Sequence, residues 1–244
     1  LDIDLIVSNL TVYIPHNFIR NGKTADASGL LYQGKFGQVN LKDDTTCDFL
    51  YRFVVKGTEE SAPRFSSKYD FLFYDLDYGE AGRMTETVKI CEFDAQRKSL
   101  VQPLFSTVED ACKDRDQPPP CLDTTIEFET SVEPPRGNCT TASATERGFG
   151  RDNAEAPEQI LRPVADMDDF EKAAARKYFN VTFAGGATEF RVTFGLTAAA
   201  SEGSSGRNFQ YSVFGRAESI TLFEPCPPPP SAPPPPPPPY CDAC

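Results

Sequence analysis

The chain has 244 residues, 39% of them hydrophobic, and a formal charge of −12. That length and apolar share allow one large β domain or two small ones. The acidic balance excludes binding to nucleic acid, which needs clustered Lys and Arg, and docking on an anionic membrane surface.

In chain order, residues 1–15 (LDIDLIVSNLTVYIP) predict a long strand. Leu1, Ile3, Leu5 and Val7 alternate, and Leu10, Val12 and Ile14 alternate in the opposite phase. The phase change near Ser8-Asn9 predicts a bulge or a crossing between two sheets. This strand either belongs to its own domain or is donated to a neighbour's sheet. Runs rich in Phe, Val, Tyr, Ile and Thr predict further strands at 48–55, 69–76, 86–93, 124–130, 178–184, 188–197, 208–215 and 219–224. One helix is expected over 165–179, with acids at its start, bases at its end and an alanine run inside. Residues 110–121 and 131–160 read as loops. About nine short strands separated by Gly, Pro, Ser and Asp predict an all-β fold. It is a β-sandwich, jelly-roll-like, with one short helix, occupying residues 1–224.

Residues 225–244 form a second unit. Eleven of the 22 prolines lie in 227–239. Proline locks φ and lacks an amide donor, so such a run joins neither a helix nor a sheet interior. It predicts a stiff polyproline II rod, about 45 Å long over 225–239 at about 3.1 Å per residue. Cys226 stands at its base, Cys241 and Cys244 at its tip. The rod either lies in an aromatic groove of a neighbouring subunit, as proline ligands do, or is a glycosylated stalk that touches nothing.

Eight cysteines (Cys47, Cys91, Cys112, Cys121, Cys139, Cys226, Cys241 and Cys244) suggest disulfides and an oxidising compartment. Cys112 and Cys121 would close the loop at 110–121. The sequons at Asn9, Asn138 and Asn180 agree with secretion. The start at Leu1 reads as a mature chain whose leader was removed. No apolar stretch reaches the roughly 20 residues of a membrane-spanning helix, so no membrane insertion is expected. Cys241-Asp-Ala-Cys244 has redox or zinc spacing, but the βαβ setting of a redox motif and a full zinc ligand set are both missing. Disulfides within the tail or to a neighbouring subunit are the better reading.

No catalytic residue is assignable. The one histidine, His16, lies between Pro15 and Asn17, and a nucleophilic triad would have to use it. Paired carboxylates serve glycosidases without histidine, yet nothing singles out a pair among 36 acids. The most distinctive body motif is FLFYDLDYGEAGRMTETVKI at 71–90. Asp75 and Asp77 share a face and, with Glu80 or Glu86, offer oxygens to calcium. Otherwise the segment is a β-hairpin whose acids cap the turn and pair with Arg83. No other cofactor is expected.

The PPPPSAPPPPPPP run beside a cysteine-bearing, sequon-bearing β domain resembles the hydroxyproline-rich extracellular glycoproteins of green algae and other protists. These include pherophorin-type matrix proteins, flagellar-hair proteins and glycofibrils. FLFYDLDYGEAGR and YSVFGR carry the likeness in the body. The resemblance implies hydroxylated, O-glycosylated prolines. Carried over, these are Pro227, Pro228, Pro229, Pro230, Pro233, Pro234, Pro235, Pro236, Pro237, Pro238 and Pro239, with Ser231 a further site. A pherophorin-type protein usually continues into a second domain, whereas CDAC follows the run here, which favours a filament subunit.

The expected protein is therefore an extracellular structural subunit, polymerising with itself head to tail and sheathed in glycans. The alternative is a secreted, lectin-like sandwich on a stalk with calcium near Asp75 and Asp77. A glycoside hydrolase or lyase comes third.

Overall fold

A computed structural model describes residues 2–25, 34–63, 65, 68–94, 99–100, 103–109, 122–148, 153–183, 187–200 and 205–215. Along the chain the strands are β1 (Ile3–Asn9), β2 (Gly22–Lys23), β3 (Gly37–Lys42), β4 (Thr45–Val55), β5 (Tyr69–Tyr74), β6 (Glu86–Cys91), β7 (Phe93–Asp94), β8 (Ser99–Leu100), β9 (Leu104–Thr107), β10 (Ile126–Glu133) and β11 (Gly137–Ala144). Two helices follow, α1 (Pro157–Ile160) and α2 (Asp169–Arg176), and then β12 (Phe179–Phe183), β13 (Glu189–Leu196) and β14 (Gly206–Gly215).

Two antiparallel six-stranded sheets make a β-sandwich. The first runs β1-β4-β13-β6-β11-β10 and the second β2-β3-β14-β5-β12-β9. The chain changes sheet at nearly every connection, in the manner of a jelly roll; β2–β3 and β10–β11 are neighbours within one sheet. Alternate residues of each strand point inward, and in the central strands those residues are mostly aromatic. The Tyr51 ring of β4 lies 5.2 Å from Phe71 of β5, 5.2 Å from Phe190 of β13 and 5.1 Å from Tyr211 of β14. Phe73, Phe179, Phe183 and Phe194 extend the layer, all fully buried.

The second sheet is covered on its outer face too. Leu72 and Tyr74 point away from the sandwich core, into a smaller cluster with Ile160, Met167, Ala174, Ala175 and Tyr178. That is why β5 reads as an almost unbroken apolar run. Helix α2 is held by a capping box. The Asp168 side chain accepts from Glu171 N, and Glu171 accepts from Asp168 N, both at 2.9 Å.

The strands expected at 48–55, 69–76, 86–93, 124–130, 178–184, 188–197 and 208–215 correspond to β4, β5, β6, β10, β12, β13 and β14. The expected strand at 219–224, the loop at 110–121 and the whole tail 225–244 lie outside the described residues. The loop expected over 131–160 is corrected: it contains the end of β10, all of β11 and α1. β11 (GNCTTASA) buries only Cys139, Ala142 and Ala144, so it lacks the large alternating residues that mark a strand. The expected helix over 165–179 is shorter, because Asp168 caps it and Phe179 already belongs to β12. The first strand stops at Asn9 and pairs with its own β4 over Ile3↔Val55 to Asn9↔Phe49. From there the chain crosses to the second sheet, as the phase change implies.

Cys91 and Cys139 face each other across β6 and β11 and form a disulfide closing a separation of 48 residues. Cys47 corrects the expectation of a disulfide: it is a buried free thiol. Its neighbour on β13 is Phe194, and Thr11 covers it from above. Cys112, Cys121, Cys226, Cys241 and Cys244 lie outside the described residues. Replacing Cys91 and Cys139 by alanine is expected to cost about 4 kcal/mol, the loop-closure value for such a separation. Urea denaturation measures it, and a double variant as stable as the parent would mean that the bond is not formed in solution.

Candidate functional site

The acidic motif at 71–90 does not fold as a hairpin, because β5 and β6 belong to different sheets and residues 75–85 carry the chain between them. The crossing is sharp. Asp75, Ala81 and Met84 all have φ between 53° and 58°, a left-handed conformation uncommon for residues other than glycine. Asp77 is 2% exposed, yet its carboxylate meets two cations from distant parts of the chain. Lys177 Nζ lies 3.2 Å from Asp77 Oδ2 and 3.6 Å from Asp75 Oδ1. Arg207 lies 3.1 Å from Asp77 Oδ1. Lys177 follows α2 directly, and Arg207 is the second residue of β14.

Glu86 completes the cluster at 3% exposure, its Oε2 accepting from Asp77 N at 3.1 Å. Burial, and next the negative charges of Asp77 and Asp75, push the Glu86 carboxyl well above its ordinary value. The shift favours the protonated form of Glu86 beside the two aspartates. Gly148 N donates to Tyr78 O at 3.1 Å, and a Cβ there would fall 1.6 Å from Asp77 Oδ2. The glycine is required by close packing against that carboxylate.

Asp75 and Asp77 thus have Lys177 and Arg207 as cationic partners, where the sequence reading offered calcium or Arg83. Glu80 is exposed on a short turn, away from this burial. Among the described residues, the group whose ligand atoms lie within 4.8 Å of one another is Cys91, Glu133 and Cys139, and its two sulfurs are bonded to each other. A protonated acid beside an ionised one is the pairing a glycosidase uses. Here both are buried and the aspartate is neutralised, so neither is presented to a substrate. His16 is exposed, and its Cβ abuts Gly206.

The three sequons differ. Asn9 ends β1 and is exposed; Asn138 is exposed on β11, its Nδ2 donating to Glu92 at 2.9 Å. Asn180 is half-buried in β12, and the nitrogen that would carry a sugar donates to Asp70 at 3.2 Å and to Thr182 at 3.3 Å.

Among the described residues, an apolar strip lies outside the cores. Beyond β1 the segment 10–14 stays extended and is pinned along its inner side. Leu10 N donates to Asp48 O at 2.7 Å, Thr11 Oγ1 accepts from Asp48 N at 2.9 Å, and Lys42 N donates to Ile14 O at 3.0 Å. The Tyr13 hydroxyl donates to Asn40 O at 2.6 Å, and its ring packs edge-on against Phe49 at 5.1 Å. Burial pushes the Tyr13 phenol up to about 12, so the hydroxyl stays a donor. With Thr11 and Tyr13 turned inward, Leu10, Val12 and Ile14 face outward; Val12 is 79% exposed and Phe18, on the following turn, 72%.

The alternation of these residues is visible in the sequence, but its outward direction is not. Lys177, Arg207 and Gly148 carry no local signal at all, being about 70 to 130 residues from the acids they meet.

Two substitutions test the cluster. Gly148→Ala is expected to destabilise by about 2 kcal/mol or more, since a buried carboxylate pair must move; a melting temperature equal to the parent's would contradict the packing. For Glu86 the folded state holds a proton that the unfolded chain releases above the ordinary value of 4.5. Its contribution therefore weakens stability as pH rises from there. Glu86→Gln keeps the acceptor and cannot ionise. The loss of stability between about pH 5 and about pH 8 should be smaller in the variant than in the parent, read by denaturant melts; identical pH profiles would refute the assignment.

No protein family, no curated protein and no solved structure matches this chain.

Proposed function

We propose that the protein is a structural subunit of an extracellular glycoprotein filament. The observation that carries this reading is the division of the chain into two parts. Residues up to Gly215 include a sandwich with a filled aromatic core. Beyond them comes a proline run whose chemistry suits neither a sheet nor a helix interior. A stiff, uncharged rod bracketed by cysteines serves connection better than catalysis or solubility. The first strand lies in its own sheet, which shifts the weight of assembly from strand donation to the tail.

An extracellular setting is supported by the Cys91–Cys139 bond, since disulfides persist mainly in oxidising compartments. It is supported also by two sequons on exposed strand positions, Asn9 and Asn138. The buried acid cluster favours a scaffold over a calcium-dependent sugar site, because its carboxylates already have cationic partners. The partner on this reading is the protein itself, with attached glycans outside.

Electron microscopy of the native material, with mass spectrometry of its peptides, tests the proposal. Regular fibres are expected, with hydroxylated and sugar-bearing residues among Pro227–Pro230 and Pro233–Pro239. N-glycans are expected at Asn9 and Asn138, with Asn180 the least occupied. Single particles with bare prolines would overturn the reading.

A further inference from the structure

We propose that the outward strip of Leu10, Val12 and Ile14, with Phe18 beyond it, is the seat of the proline run 227–239 of a second copy of the chain. The inference rests on the filament reading and names the contact that would build it.

Three observations converge. The strip is apolar, exposed and already ordered. Hydrogen bonds to Asp48, Lys42 and Asn40 fix its backbone and the Tyr13 side chain, so little conformational freedom remains to be lost on docking. The chemistry of the two surfaces also agrees. Residues 10–15 (LTVYIP) and 227–239 carry no charge in a chain of net charge −12. Proline runs dock on apolar and aromatic surfaces, which Val12, Ile14 and Phe18 supply.

The third observation is direction. β14 begins at Gly206, paired with Lys42 and packed on His16, at the strip's end of the sandwich. It finishes at Gly215, paired with Tyr69, at the other end. Ten residues of strand separate these points by about 30 Å. The chain leaving β14 is therefore heading away from its own strip. The polyproline II form that the composition of 227–239 favours would span about 40 Å without bending back on itself. Seating it on its own copy requires residues 216–226 to reverse the chain. A copy stacked end to end presents its strip to the rod without reversal. Such a contact is heterologous and propagates when the rotation does not close.

The test uses the full secreted chain with a photo-crosslinking p-benzoylphenylalanine in place of Val12, prepared in normal and ¹⁵N-labelled forms and mixed before assembly. Crosslinked peptides joining position 12 to residues 227–239 are expected in mixed-isotope pairs. Separately, Val12→Asp should raise the concentration needed for filaments about tenfold or more. It should leave the melting temperature unchanged, because the side chain is exposed. Two results would overturn the docking site while leaving the filament reading intact. One is filaments in which position 12 joins no proline peptide, or joins it only within one copy. The other is Val12→Asp filaments forming like the parent's. A parent chain that forms neither filaments nor mixed-isotope crosslinks would overturn both.

Discussion

The layer of aromatic rings between the two sheets is the constraint on which the other features depend. Tyr51, Phe71, Phe190 and Tyr211 meet at centroid distances of 5.0 to 5.4 Å and draw on both sheets. Because side chains alternate along a strand, slipping β4 or β13 by one residue would turn these rings outward and bring Arg52 or Arg191 into the core. Register is thereby fixed throughout the sandwich. With register fixed, the changes of sheet fall beyond the strand ends. The crossing from β3 to β4 takes only Asp43 and Asp44, and that from β5 to β6 takes residues 75–85; positive φ values occur in both, at Asp44 and at Asp75, Ala81 and Met84.

The crossing from β5 to β6 explains why charges are buried. The segment after Tyr74 passes beside β14 and the end of α2, where Arg207 and Lys177 reach the buried Asp77. Attraction to Lys177 and Arg207 offsets desolvation without adding much stability, since burial costs each ion several kcal/mol. The cluster instead ties four parts of the chain: the crossing itself, the segment at Gly148, the end of α2 and the start of β14. Burial, and after it the charges of Asp77 and Asp75, hold the Glu86 carboxyl well above its ordinary value.

Much of this fold is legible in the sequence where large residues alternate. β4, β12, β13 and β14 announce themselves because they bury Phe, Tyr and Val on one face. β11 does not, because its inward residues are Cys139 and two alanines, and β3 does not, because five of its six residues are buried, polar ones included. The acid motif was recognisable as special, but its meaning depended on residues brought close only by the fold. A DxD spacing looks the same whether the cation is a metal or a lysine 100 residues on. The change of phase at Ser8-Asn9 pointed to a crossing between sheets. That Leu10, Val12 and Ile14 emerge on the outside depends on Thr11 and Tyr13 finding partners at Asp48 and Asn40, which no local pattern reveals.

The charges at the sheet edges bear on how copies of such a sandwich can meet. β1 and β10 are the two edges of the first sheet. The first carries Asp4, with Asp2 just before it, and the second Glu127, Glu129 and Glu133. Pairing β1 of one copy with β10 of another would bring acids face to face, and pairing like edges would do the same. Natural sheets use such charges to blunt edge-to-edge addition. Growth by extending the sheet is thus disfavoured in a chain that is already strongly acidic. The ends of the sandwich differ from the edges. One presents an uncharged apolar strip, and the other is where β14 delivers the chain toward its proline run. On the filament reading, unlike ends suit head-to-tail growth, while the acidic edges of the first sheet resist addition there.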